Sequence, residues 1–365
     1  MLLQQLIALL ATLALPVAIV CIVDDWFLQP RRQAAAAPTA SGEPTPDPAV
    51  MRVLYFALPV LIIAAVYRLL TAERMDFSAV LVAITVVSGV VWAIDHFLLR
   101  RWRESLARSS GREPAAITEP GTVDYARSFF PVAAVLLVLR SFLFEPYRIP
   151  SDSMMPTLLD GDFIVVNKFS YGLRWPVSHK LFYESGSPQR GDIAVFRYPE
   201  DPGINYIKRV VGLPGDLVEV RDDRLIINGE PVPFEAVGRY NDGCYANMRL
   251  ARERLGDHEH EVLHCLTGES IVTLPLASCD REIAQGYVCS EPEDGRAADS
   301  GDRQMRVPER SYLMVGDNRD NSTDGRYFGF VDETLLVGKA TRIWFNWDLQ
   351  RAGGPQWSRI GVAID

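Results

Sequence analysis

Positive charge is scarce in this chain. Its 365 residues carry 37 Lys and Arg against 46 Asp and Glu, a net charge of −9. That balance excludes the broad basic face a nucleic-acid partner requires. Histidine is scarcer still, with five in all. His179, His258, His260 and His264 fall in the later part of the chain, and no His/Asp pairing there presents itself as the base of a serine triad. Of five cysteines, Cys21 sits in an apolar run, while Cys244, Cys265, Cys279 and Cys289 lie beyond residue 145. Those four permit three pairings, and an oxidising compartment would allow one or two disulfides. Helical periodicity is poor after residue 145.

Charge is absent altogether from residues 1–23 and 77–94, each long enough to cross a bilayer. Residues 53–67, between Arg52 and Arg68, and 128–144, interrupted by Arg140 near the end, are two further spans. Arginines so placed can reach the headgroups. The first segment lacks a basic n-region and exceeds an ordinary h-region, so it is expected to be a retained helix. Arg100, Arg101, Arg103, Arg108 and Arg112 mark the loop before the fourth span as cytoplasmic. Four crossings then place the C-terminal domain outside. Residues 33–49 and 105–122 read as linkers. A weak repeat relates residues 17–32 (VAIVCIVDDWFLQPRR) to residues 90–103 (VVWAIDHFLLRRWR). The expected organisation is a membrane region with three transmembrane helices and cytoplasmic linkers over 1–126 and a last transmembrane helix at 127–145. An exported β-rich catalytic domain follows over 146–365, with a divergent insertion at about 233–304.

Beyond residue 145 short β-type runs alternate with turns. Gly161-Asp162, Gly191-Asp192 and Gly215-Asp216 each lead into such a run, and Asn228-Gly229 marks a hairpin. The fold class is therefore a mainly β domain on an N-terminal α-helical membrane anchor.

Ser153 follows the fourth span so closely that even an extended chain covers only about 30 Å. Chemistry at Ser153 is thus expected near the outer membrane surface, at the depth where a signal peptide's apolar core ends. A nucleophilic serine needs a base. With histidine unsuited, lysine remains, and a lysine must be desolvated to be neutral near pH 7. Lys208 stands in an apolar strand pattern, with Tyr206 and Val210 on its own face.

The runs IPSDSMMPTLLDGD (149–162), YIKRVVGLPGD (206–216) and GDNRDNSTDGRYFGFV (316–331) resemble, in order, the signature boxes of bacterial type I signal peptidase, or leader peptidase. The resemblance implies a serine–lysine endopeptidase of the inner membrane, catalytic domain on the periplasmic side, that needs no cofactor or metal. Its partners would be the signal peptides of exported preproteins and membrane lipids. Ser153 matches the nucleophile and Lys208 the general base. Ser151 matches a hydroxyl that joins the Ser153 amide in the oxyanion hole. Ser322 matches a serine that orients the lysine, and Asp324 and Arg326 a supporting pair. Tyr147, Ile149, Pro150, Met154, Leu158, Tyr206 and Ile207 fall where the family lines small apolar pockets, selecting Ala at −1 and −3 of the cut. The chain departs from the pattern at Asp152, where glycine is usual between the two serines, and in its two leading spans.

Two other motifs compete. His260-Glu261-Val262-Leu263-His264 satisfies the zinc peptidase pattern H-E-x-x-H, which requires a helix; the same run also reads as one face of a strand. Asp320 to Gly325 begins like a calcium loop, but Val331 stands where a bidentate glutamate is needed. A membrane-tethered binding domain without catalysis is the third alternative. Trp344, Trp347 and Trp357 near the C-terminus are candidate interface anchors.

Overall fold

The computed structural model describes residues 2–35, 48–71, 77–111, 119–221, 224–242, 245–264, 303–348 and 354–364. The chain divides into two compact units, Met1–Val138 and Leu139–Asp365. Cys244, Cys265, Cys279 and Cys289 lie outside the described residues.

The first unit is helical: α1 (Leu2–Val23), α2 (Gln29–Ala35), α3 (Ala49–Thr71), α4 (Phe77–Ile94), α5 (Arg100–Ser109) and α6 (Gly121–Val138). Among the described residues four stretches are long and apolar enough to cross a membrane: Gln5–Ala35, Ala49–Arg68, Phe77–Ser109 and Gly121–Leu143. The second and fourth are longer than the sequence pattern suggested, because Arg52 and Asp124 do not interrupt the helices that carry them. Large apolar side chains such as Phe56, Ile63 and Phe129 point outward, the arrangement that hydrocarbon surroundings favour.

The sequence repeat has a structural counterpart. α1 runs into a π-helical turn at Asp24–Leu28, and α4 into another at Asp95–Leu99. In each, an arginine eight residues on reaches back to the leading aspartate. Arg32 donates to Asp24 at 2.5 and 2.8 Å, and Arg103 holds Asp95 through both terminal nitrogens. Both aspartates are buried, where a carboxylate requires such a partner. Asp25 accepts the N–H groups of Gly121 (3.0 Å) and Thr122 (2.8 Å), tying the first π turn to the start of α6.

Among the described residues the second unit has sixteen strands. In chain order these are β1 (Phe144–Arg148), β2 (Asp162–Asn167), β3 (Leu173–Arg174), β4 (Leu181–Tyr183), β5 (Ile193–Arg197), β6 (Asn205–Gly212), β7 (Leu217–Arg221) and β8 (Arg224–Ile227). There follow β9 (Glu230–Pro231), β10 (Phe234–Asp242), β11 (Tyr245–Leu255), β12 (His258–His264), β13 (Arg303–Arg306), β14 (Ser311–Val315), β15 (Val331–Asp332) and β16 (Leu336–Asn346). A one-turn helix, α7 (Gly325–Phe328), precedes β15. The main sheet has seven strands in the order β1-β2-β16-β5-β6-β14-β15, which leaves β1 at an edge. Smaller sheets are β13-β7-β8-β9, β10-β11-β12 and β3-β4. The domain is mainly β.

Period-2 alternation sorts the core. In β2, Ile164 and Val166 are fully buried while Phe163 and Val165 are half-buried. In β6, Ile207 packs with Ile149, Met154, Leu158 and Ile193. Tyr206 and Val210, on the other face, pack with Ala194, Phe196 and Met314. The three Gly-Asp pairs make one recurring turn. Gly161, Gly191 and Gly215 have φ of +80°, +94° and +87°, a region open to glycine. Each following aspartate accepts the N–H three residues before it, from Leu159 (2.8 Å), Gln189 (3.0 Å) and Leu213 (2.6 Å). The turn thereby launches β2, β5 and β7 with its polar groups satisfied. Trp344, Trp347 and Trp357 gather around Phe163 and Phe345 and all three remain exposed.

Candidate active site

Ser153 lies in a short 3-10 turn, Asp152–Met154, entered from the extended residue Ser151. The turn sits between edge strand β1 and strand β2. Its anchor is apolar: Met154 and Leu158 are wholly buried. The Ser153 amide falls in the first turn, where N–H groups have no intrahelical acceptor. Lys208 extends from β6 opposite Ala194 of β5. Its Nζ lies 2.5 Å from Ser153 Oγ and 5.6 Å from the Tyr206 ring centroid. Both residues are buried, Ser153 at 8% and Lys208 at 4% exposure. Burial pushes the Lys208 ammonium down to about 8, and Arg326 adds to that; the Asp324 and Asp317 carboxylates oppose it. At that value about a tenth of the lysine is neutral at pH 7, against roughly one in a few thousand for a solvated lysine. Asp152 is not among the charges that act most on Lys208. Its carbonyl accepts from Asn318 Nδ2 at 3.0 Å.

Behind the pair lies the loop 316–326. Asp324, wholly buried, caps α7 and accepts Arg326 Nε and Nη2, both at 2.9 Å, and the Gly316 N–H, also at 2.9 Å. Despite burial, Arg326 holds the Asp324 carboxyl below the usual carboxylate range. Ser322 is buried. Its hydroxyl makes no well-formed hydrogen bond among the described residues, although it is near enough to Asp324 to help lower that group. Gly316 makes the close approach possible. A Cβ there would lie 2.5 Å from the Ser153 carbonyl oxygen and would overlap the Ser322 hydroxyl. Gly316→Ala is therefore expected to displace the serine backbone and lower kcat about a hundredfold, measurable on any cleaved substrate. Wild-type kcat in that variant would show that the contact is slack.

The sequence-predicted residues divide. Ser153, Lys208, Ser322, Asp324 and Arg326 converge, and Ser151 stands exposed beside them. Of the apolar set, Ile149, Met154, Leu158 and Ile207 form one cluster with Tyr147, while Pro150 is exposed. Tyr206 lies on the face of β6 that carries Lys208, its ring stacked on Tyr198 with centroids 4.5 Å apart. Arg209 and Asp317 were not foreseen, although both lie inside the matched runs. Arg209 donates through Nε and Nη2 to Asp317, each at 2.8 Å, and both side chains are buried.

The zinc reading is corrected. Residues 258–264 form strand β12, so His260 and His264 stand about 13 Å apart along it rather than on adjacent helical turns. No group of three metal-ligating side chains occurs among the described residues. Burial, with Arg209 nearby, pushes His260 down to about 3, so it is neutral.

Comparison with known proteins places the chain in a family. Residues 122–345 match the family model described as signal peptidase, peptidase S26. A signal peptidase I from Pseudomonas fluorescens is 41% identical over 79% of this chain and 99% of its own length. One from Pseudomonas aeruginosa is 40% identical, with the same coverage, and one from Buchnera aphidicola is 37% identical over 64% of this chain and 78% of its own. A binding domain without catalysis is thereby set aside: the chain belongs to the signal peptidase family, peptidase S26, whose members are hydrolases.

Proposed function

We propose that this protein is a membrane-bound serine endopeptidase that removes N-terminal signal peptides from exported preproteins after Ala-x-Ala, with Ser153 as nucleophile and Lys208 as general base. The observation that carries the reading is the buried Ser153–Lys208 contact. Neutral Lys208 accepts the hydroxyl proton as Ser153 Oγ bonds to the scissile carbonyl carbon. The Ser153 amide and the Ser151 hydroxyl donate to the resulting oxyanion. Lys208 then gives its proton to the departing amine, leaving an acyl ester on Ser153. Lys208 next deprotonates a water that attacks this ester, and the signal peptide leaves with a free carboxylate.

The free edge of β1, directly preceding Ser153, suits an extended peptide added as a further strand. Pro146 is tolerated in β1 because the strand is an edge. The basic loop between the third and fourth spans supports a cytoplasmic location for that loop, and hence a catalytic domain on the outer, periplasmic face of the inner membrane. Substrates anchored by their own apolar segment would then arrive at the depth of Ser153, with membrane lipid as the shared medium.

The test is incubation of the solubilised full-length enzyme with a purified preprotein bearing Ala at −1 and −3, followed by N-terminal sequencing of the product. Cleavage directly after the −1 Ala is expected. Leucine at −1 should lower kcat/KM on the order of a hundredfold by overfilling a small pocket. A cut elsewhere, or indifference to the −1 side chain, would refute the specificity.

A further inference from the structure

The hairpin sheet β10–β12, which the sequence marked only as a poorly matching insertion, is joined to the catalytic loop. Leu263 of β12 donates to Asp317 O and accepts from Arg319 N, both at 2.9 Å, so Asn318 forms an isolated parallel bridge to the hairpin. The opposite side of those same residues holds the nucleophile. Asn318 N donates to Ser153 O at 3.1 Å, and Asn318 Nδ2 to Asp152 O at 3.0 Å. Met248 and Leu263 of the hairpin also pack on Met155 and Leu159, just after Ser153.

Side-chain charge reinforces the join. Glu253, in β11, receives both terminal nitrogens of Arg319, one of them at 2.7 Å, and both side chains are nearly inaccessible. The Arg319 carbonyl in turn accepts Arg326 Nη2, which belongs to the pair beside Lys208. His260 lies 3.7 Å from Glu253 and 3.9 Å from Asp317. Neutral, it separates the Arg319–Glu253 pair from the Arg209–Asp317 pair. A buried ion pair adds little net stability over apolar packing, yet it fixes two groups in one arrangement. Here that arrangement faces the backbone of the serine on one side and the lysine's neighbours on the other.

We propose that Glu253 is a positioning residue for the reaction: through Arg319 it makes the insertion hairpin hold the catalytic loop, and hence Ser153, in register. The inference rests on the Ser153–Lys208 reading. Glu253 touches no reacting atom, so its loss acts on geometry alone. Misplacement by an ångström typically costs about a hundredfold in rate.

Glu253→Gln in the full-length enzyme is expected to lower kcat for preprotein cleavage by about a hundredfold while KM stays within about threefold. Because the substitution leaves Arg319 unpaired, the double variant Glu253→Met/Arg319→Met is measured beside it. Apolar replacement of both partners preserves folding, so Tm should hold while kcat still falls. Either variant retaining wild-type kcat in folded form overturns the proposal. So does a rise in KM with kcat unchanged, which would make Glu253 part of substrate binding. Should Glu253→Gln fail to fold, the double variant decides. Ser153→Ala serves as the control: if it still cleaves, the dyad reading is wrong. If it is inactive while Glu253→Gln is fully active, only the positioning role is wrong.

Discussion

Ser153→Ala and Lys208→Met are each expected to lower kcat by about ten-thousandfold or more, and the double variant no further, because nucleophile and base act as one unit. KM should change little, since neither group is proposed to hold the substrate. In the proposed mechanism the reactive species is the neutral amine. Cleavage by the wild type should therefore rise with pH and level off above an apparent pKa of about 8, the value to which burial lowers Lys208. A profile governed by a group near pH 6.5 would point to histidine and sink the assignment. The same burial carries a stability consequence. The folded-state pKa lies below the ordinary lysine value of 10.5, so between the two values the unfolded chain binds more protons and stability rises with pH. Below about pH 8 the penalty is present in full, about 3 kcal/mol for the shift from 10.5 to about 8. Lys208→Met removes it, so the inactive variant should melt at a higher temperature than the wild type at pH 7. A lower Tm would mean that the lysine's contacts outweigh its desolvation.

The second large effect lies one residue along β6. Arg209 is wholly buried and has Asp317 as its carboxylate partner through two hydrogen bonds. Asp317→Ala strands that guanidinium in the core and should cost about 3–5 kcal/mol, read as a shifted denaturation midpoint of the solubilised protein. Thr157, which donates to Asp317 at 2.5 Å, loses its partner as well. Replacing both Arg209 and Asp317 by apolar residues of similar volume should restore most of that loss, because the penalty belongs to the unpaired charge. Equal destabilisation by the single and double variants would show that the pair itself supplies the stability. In whatever fraction folds, removing a carboxylate that raises the Lys208 pKa should move the pH profile toward acid.

What the sequence disclosed follows from local physics. The Gly-Asp pairs at 161, 191 and 215 were visible because a positive φ needs glycine, and the aspartate that closes the turn stands beside it. Asn228-Gly229 was visible for the same reason, with φ of 55° and 82°. Lys208 was found because strand alternation puts it with Tyr206 and Val210. Alternation says that Tyr206 and Ile207 point to opposite sides of β6; that both line one site is what the resemblance alone implies. H-E-x-x-H misled because spacing alone does not distinguish a helix from a strand; the burial of His260 and His264 in β12 decides it. Glu253 left no signal. Its partner Arg319 is distant in sequence, and a glutamate in an alternating strand reads as solvated until the fold turns it inward.

The loop that steadies Ser153 lies between residues 316 and 326, close to the end of the chain, whereas the serine follows directly on the last apolar helix. Under the proposed topology a growing polypeptide would export its nucleophile early and its clamp late. Until the final stretch had crossed and folded, the serine would lack both Asn318 and the Asp324–Arg326 pair behind its proposed base. On the proposed reading the order of synthesis would act as a safety catch: the chain's own apolar helices, similar in kind to the segments it would cut, would be in place before the blade could close.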